Sequence, residues 1–244
     1  MADFKKVYLF ISCLVDNFFP EVGEAMVRLL YDHKIKVEFL EDQTCCGQPA
    51  FNSGYADEAR GVAKHFLNVF DGIDGPIVCP SGSCISMVKV YYRDLFKNDP
   101  DKLKKAEIIS ENIFEFTDFI FNKLGIKNVN SSYKGKVTFH DSCHALRELG
   151  LKDEPRQLLK SISGVEYVEM EMCDACCGFG GTFSIKYPEV SVSMLEEKID
   201  SILKSGADTV VSTDMGCLMN IKGLVSRRNL PIKVMHIAEL LAFK

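Results

Sequence analysis

Two stretches of the chain, TCCGQPAFNSG at 44–54 and ACCGFGGTFS at 175–184, set adjacent cysteines ahead of a glycine, and both belong to a repeat that spans the sequence. VYLFISC ends at Cys13 and VTFHDSC at Cys143, 130 positions apart. KVEFLEDQTCCG and YVEMEMCDACCG superimpose at a shift of 131, which lays Cys45, Cys46 and Gly47 on Cys176, Cys177 and Gly178. PIVCPSGSC and TVVSTDMGC match at a shift of 133, with Cys84 on Cys217. Three nearly equal offsets with small insertions mean one folding unit made twice. The boundary expected from them puts a first cysteine-rich repeat, with a closing helical segment, at 1–130 and a second repeat at 131–244.

Within each repeat the hydrophobic period alternates between strand and helix. VYLFISC and VTFHDSC read as short apolar strands ending in Ser-Cys. PEVGEAMVRLLYDHK places Val22, Ala25, Met26, Leu29 and Leu30 on one stripe, with Pro20 at its first turn. ADEARGVAKHFLNVF repeats the stripe with Ala59, Val62, Ala63, Phe66, Leu67 and Phe70, and its counterpart runs from Pro188 to a stop near Gly206. IFEFTDFIFNKLG and VMHIAELLAF, which close the two halves, have a helical look. The fold class that follows is α/β, two pseudo-repeated Rossmann-like halves with parallel sheets flanked by helices. Right-handed crossovers bring all strand C-termini to one edge, so cysteines ending three strands per half converge there, in one pocket for each half.

What those thiols do depends on where the chain lives. The run KKVYLFISCLV near the N-terminus is followed by Asp16 and Asn17 with no small-residue cleavage site, so a cytoplasmic location is expected. No stretch has the roughly 20 apolar residues of a spanning helix, which excludes direct membrane insertion. A net charge of -5 with scattered basic residues excludes nucleic acid as a partner. In a reducing compartment ten cysteines point to metal or redox chemistry rather than disulfides. Thiolates are soft donors that select iron-sulfur clusters or zinc. Adjacent cysteines reach two metals of a polynuclear cluster more readily than two corners of one tetrahedron, and Gly47 and Gly178 permit the sharp turn this needs. That favours iron-sulfur, with zinc allowed in one half.

Other features carry less. Cys79 falls opposite Ser212 and Cys173 opposite Asp42, so both read as accessory. Gly178-Phe179-Gly180-Gly181 lacks the dinucleotide fingerprint and the Walker lysine, and reads as a turn able to aim N–H groups at sulfur. His140 and His144 flank Cys143, yet in a regular strand both point to the face opposite that thiol, so they read as packing or supporting residues. Met87, Met215 and Met219 read as packing.

With these motifs in view, the chain resembles the CCG, or cysteine-rich, domain family, which also occurs in heterodisulfide reductase and in the iron-sulfur components of glycolate oxidase and anaerobic glycerol-3-phosphate dehydrogenase. ISCLVDNFFP, CCGQPAFNSGY, CPSGSC, TDFI, CCGFGGTFS, GCLMNI and VMHIAEL match its lactate-utilization branch over essentially the whole length. The resemblance implies an electron-transfer subunit in the oxidation of L-lactate to pyruvate. It would work with companion lactate utilization proteins, one of them a ferredoxin-like iron-sulfur protein. It implies one site of Cys13, Cys45, Cys46 and Cys84 and another of Cys143, Cys176, Cys177 and Cys217, binding one or two clusters, 4Fe-4S or 2Fe-2S. The heterodisulfide reductase pattern has a further cysteine where this chain has Met87 and Asn220, which argues against that family's noncubane cluster. The rival expectation is a zinc-stabilised scaffold that assembles redox partners and transfers no electrons.

Overall fold

The computed structural model describes residues 4–243. Eight strands form two sheets of four. β1 (Lys6–Leu9), β2 (Lys36–Phe39), β3 (Ile77–Cys79) and β4 (Ile113–Glu115) make the first; β5 (Ser132–Phe139), β6 (Ser163–Tyr167), β7 (Thr209–Ser212) and β8 (Lys233–His236) make the second. The strand orders are β2-β1-β3-β4 and β6-β5-β7-β8, and all pairings are parallel. The repeat extends to hydrogen-bond register: Tyr8 pairs with Ile77 and Leu9 with Val78, while Thr138 pairs with Val210 and Phe139 with Val211. The α/β class and the two like halves read from the sequence are therefore the architecture of the chain.

The helices form where the apolar stripes lie. Helix Pro20–Asp32 buries Val22, Ala25, Met26, Leu29 and Leu30, the predicted face, with proline at its first turn where a missing N–H is harmless. Helix Ala56–Val69 buries Ala59, Ala63, Phe66 and Leu67, and Val62 is half-buried. Helix Pro188–Ser205 stops at Gly206, whose φ of +70° is a left-handed cap. The closing segments differ from their helical reading: each begins with the fourth strand of its sheet, β4 or β8, and only then turns helical. Three or four strand residues are too few to register a period of two against the helix that follows.

Alternate side chains of β1 belong to different cores. Val7 and Leu9 face a cluster that also holds Val137, Phe139 and Val211 of the second sheet, whereas Tyr8 and Phe10 face Phe66, Phe70 and Tyr92. The shared cluster contains helix Pro20–Asp32 and Phe119–Phe121 from the first half, with Leu158, Leu159 and Ile237–Leu241 from the second. A helical layer thus lies between the two sheets, helix Ile237–Leu241 packing on Pro20–Asp32 and Asp153–Ser161 on Phe116–Asp118. The outer faces are covered by Ala56–Val69 and Pro100–Glu111 on one side and by Pro188–Ser205 and Met215–Arg227 on the other.

Candidate metal centre

Each sheet reverses its winding between its first and third strands; the loops leaving those two strands carry Cys13, Cys84, Cys143 and Cys217, and the loops after β2 and β6 carry the two Cys-Cys-Gly turns. Such switch points open a crevice at the strand C-termini. The thiols do not end the strands, as the sequence reading had it. β1 stops at Leu9 and β5 at Phe139, and after extended Ser12 and Ser142 the chain turns so that Cys13 and Cys143 open helices Cys13–Phe18 and Cys143–Arg147. Cys84 and Cys217 lie in the first turns of helices Gly82–Ser86 and Met215–Arg227. Both Cys-Cys-Gly segments sit in loops. The convergence expected from topology is present, but strand-to-helix loops deliver it.

All eight cysteines expected as ligands line a single cavity of about 280 Å³, with Cys13, Cys45, Cys46 and Cys84 from one half and Cys143, Cys176, Cys177 and Cys217 from the other. The separate pocket for each half is thus replaced by a shared one, because the two switch points face each other. In the first set Cys45 lies within thiol hydrogen-bonding reach of Cys13 and Cys46, and Cys84 within reach of Cys46 and Cys79. The second set repeats the chain, Cys143 to Cys176, Cys176 to Cys177 and Cys177 to Cys217. All ten cysteines are free thiols.

The Cys-Cys-Gly turn is the same device twice. Gly47 and Gly178 have φ of +88° and +77°, a left-handed region that favours glycine. The turn aims each glycine N–H at the first thiol of its pair, Gly47 N to Cys45 Sγ and Gly178 N to Cys176 Sγ, both at 3.4 Å. The second cysteine's carbonyl is held from elsewhere, Cys46 O by the Tyr92 hydroxyl at 2.9 Å and Cys177 O by Asn220 Nδ2 at 2.8 Å. Asn220 is thus a brace for the Cys-Cys loop.

Charge follows from the thiol chains. Hydrogen bonds from Cys13 and Cys46 pull Cys45 down to about 3, those from Cys46 and Cys79 pull Cys84 down to about 5, and those from Cys143 and Cys177 pull Cys176 down to about 2. Their donors Cys13, Cys46, Cys143 and Cys177 are pushed up by the same bonds together with burial. For Cys217 the bond from Cys177 lowers the pKa, but burial and the neighbouring charge of Asp214 prevail and it is raised. Protons shared along each chain keep four thiols from all ionising together, and a bound cation removes that obstacle.

Three further residues support the site: His140 and His144, which the sequence marks as packing or supporting residues, and Asp214, which it does not mark. Asp214 caps helix Met215–Arg227 through Gly216 N at 3.0 Å and reaches across to Ser83 N at 2.9 Å, tying together the starts of the helices that carry Cys217 and Cys84. His144 accepts from Gln48 Nε2 at 3.4 Å on Nε2, which leaves Nδ1 to donate to Cys143 Sγ at 3.5 Å. Opposite faces were expected for this pair in a strand; as helix-opening residues they touch. His140, expected to point away, is wholly buried with a ring nitrogen close to Cys177 and Cys217. Next to it in sequence, Asp141 pairs bidentately with Arg156 at 2.7 and 2.8 Å, and Arg156 pairs likewise with Glu169 at 2.8 and 2.9 Å. Cys173 sits beside those carboxylates and Cys79 behind Cys84, both outside the lining of the cavity, in keeping with their accessory reading. Met87 and Met215 are buried, in keeping with packing, while Met219 is half-buried.

A repeated strand-to-helix scaffold with two Cys-Cys-Gly turns at one crevice defines a duplicated cysteine-rich-domain protein, and the model of that family, Cysteine-rich domain (CCG), matches residues 7–89 and 137–222. Curated relatives align over nearly the whole chain. Lactate utilization protein A 2 of Bacillus cereus (strain Q1) is 46% identical over 237 residues, covering 97% of this chain and 98% of that one. Lactate utilization protein A of Exiguobacterium sp. (strain ATCC BAA-1283 / AT1b) is 47% identical over 236 residues, covering 96% of each. The chain belongs to the lactate utilization protein A family within the cysteine-rich-domain proteins. A crystal structure of a hypothetical protein from Helicobacter pylori superposes with a TM-score of 0.65 at 9% identity over 97% of this chain, a likeness of fold alone. This chain spans 48% of that longer one.

Proposed function

We propose that the chain is an iron-sulfur electron-transfer subunit of a multi-component system that oxidises L-lactate to pyruvate. The observation that carries this reading is the pair of matched thiol chains, Cys13-Cys45-Cys46-Cys84 and Cys143-Cys176-Cys177-Cys217, lining one cavity. The substrate comes from the names of the relatives, and the redox role from the donor set. A cavity of about 280 Å³ suits polynuclear centres better than single zinc ions, whose closed tetrahedral sites need no such space. When bound, a cluster supplies one-electron transfer.

The chain's own residues prepare that environment. Gly47 N–H, Gly178 N–H and His144 Nδ1–H point at Cys45, Cys176 and Cys143 sulfur, where donors stabilise the more negative state of a thiolate-held centre. The loops present the site at the mouth of the crevice, where half-exposed Cys13, Cys45, Cys143 and Cys176 are within reach of a redox partner. Companion lactate utilization proteins, including a ferredoxin-like iron-sulfur protein, are the partners this reading requires, in the cytoplasm. Among the described residues no helix is long and apolar enough to cross a membrane.

Anaerobic purification with iron and acid-labile sulfide analysis tests the proposal. Wild-type protein is expected to hold both, and Cys45→Ser and Cys176→Ser each to lose the share of one centre. Stoichiometric zinc without iron, together with lactate oxidation by the assembled system that survives both substitutions, would overturn it in favour of the scaffold.

A further inference from the structure

The two halves repeat their fold but not their donors, and the difference is concentrated where β1 and β5 run out. Phe10 N donates to Val78 O at 3.0 Å and His140 N donates to Val211 O at 2.8 Å, so Phe10 and His140 occupy the same place in the two ladders. Phe10 is an apolar plug, its ring 4.9 Å from Phe66 and 5.9 Å from Phe70 between centroids. His140 is just as buried, yet neither ring nitrogen has a hydrogen-bond partner among the described residues. Leaving such a group unsatisfied is costly, so an imidazole kept where the repeat elsewhere has a phenyl ring points to a compensating ligand. A second exchange accompanies the first. Cys79 of the first half becomes Ser212, whose Oγ donates to the His140 carbonyl at 2.9 Å and holds its backbone in place.

A ligand is within reach. A His140 ring nitrogen and the Sγ atoms of Cys177 and Cys217 all lie within 4.8 Å of one another. Donors on one tetrahedral metal atom are about 3.5–3.8 Å apart, given metal-sulfur and metal-nitrogen lengths of about 2.3 and 2.0–2.1 Å. The three need to close by roughly 1 Å at most, a matter of side-chain rotation.

We propose that His140 is a nitrogen ligand of the second half's metal centre, beside Cys177 and Cys217, so that this centre is mixed imidazole and thiolate while the first half's is thiolate alone. The proposal rests on the reading that the cysteine sets hold iron. Its consequence is that the two centres differ in potential, because the second has an imidazole donor the first lacks and the nearby Lys198 side chain, close to Cys177 and Cys217, favours its reduced state. The second centre is then the easier to reduce.

Pulsed EPR on reduced, anaerobically reconstituted full-length protein tests the assignment. The wild-type spectrum is expected to show a strongly coupled nitrogen that changes when histidine is labelled with 15N. That coupling should vanish in His140→Phe, which installs the first half's residue, and persist in His144→Gln. Because the labelled wild-type protein is itself informative, the test stands even if His140→Phe fails to fold. A full complement of iron and sulfide with no histidine coupling would overturn the proposal and leave the iron-sulfur reading intact. Protein without iron after reconstitution would overturn both.

Discussion

The conformational demands of the site fall on single residues. Gly178 needs a left-handed backbone, and a Cβ there would stand 2.6 Å from the Ser191 carbonyl oxygen, a backbone atom that cannot swing aside. At Gly47 the corresponding approach, to Ala59 O, is 3.2 Å. Gly178→Ala is therefore expected to lose more stability than Gly47→Ala. The backbone strain alone is about 1–2 kcal/mol in each, and the contact with Ser191 adds to it at Gly178 only. Urea midpoints of the two variants check the order, and equal losses would count against it. The glycines were legible from the sequence as turn residues. That one tolerates a methyl group better than the other was not, since it depends on how closely helix Pro188–Ser205 crosses the loop. His140 lay in plain view: strand alternation puts it on the face away from Cys143 and leaves it a packing or supporting residue, whereas comparison with Phe10 across the repeat exposes a polar residue in an apolar place.

At the scale of elements, short helices hold the site and their caps join the halves. Helix Ile237–Leu241 begins with a capping box in which His236 Nδ1 accepts from Ala238 N at 3.1 Å and Glu239 accepts from His236 N at 2.7 Å. With Nδ1 an acceptor, Nε2 carries the proton and donates to Pro80 O at 3.1 Å, on the loop that leads to Cys84. Burial lowers the His236 pKa to about 4, so the unfolded chain takes up a proton first as pH falls. The contribution is fully present above about pH 6.5 and is lost progressively towards pH 4, at up to about 1.4 kcal/mol per pH unit. His236→Asn preserves a capping side chain without the titration. Its stability, measured by urea unfolding at pH 7 and pH 5, is expected to fall less on acidification than that of the wild type. A parallel loss in both proteins would show that His236 is not responsible.

At the scale of the molecule, the two repeats form one cooperative body. The central cluster draws on β1, helix Pro20–Asp32 and Phe116–Phe121 from one half and on β5, Leu158 and Ile237–Leu241 from the other. Glu148 accepts from Tyr91 at 2.6 Å and from Ser86, and Ser53 and Thr182 hydroxyls meet at 2.7 Å, all across the same boundary. Neither half can open without exposing the shared apolar layer. Equilibrium unfolding is expected to be a single transition, with far-UV and near-UV signals coincident, although the sequence divides into two repeats. Two resolved transitions would contradict it, and a fragment ending at residue 130 is expected not to fold alone.

Residue order was enough to reveal the duplicated unit, the alternation that makes each half α/β, the buried faces of the main helices and the eight thiols that belong together, because periodicity and spacing are local properties that survive without a partner. Packing in three dimensions settled the rest: the two switch points face each other across one cavity, short strands β4 and β8 complete the sheets, and His140 turns towards Cys177 and Cys217. Those outcomes depend on how two sheets press against a common helical layer, and contact between segments more than a hundred residues apart leaves no periodic trace in the chain.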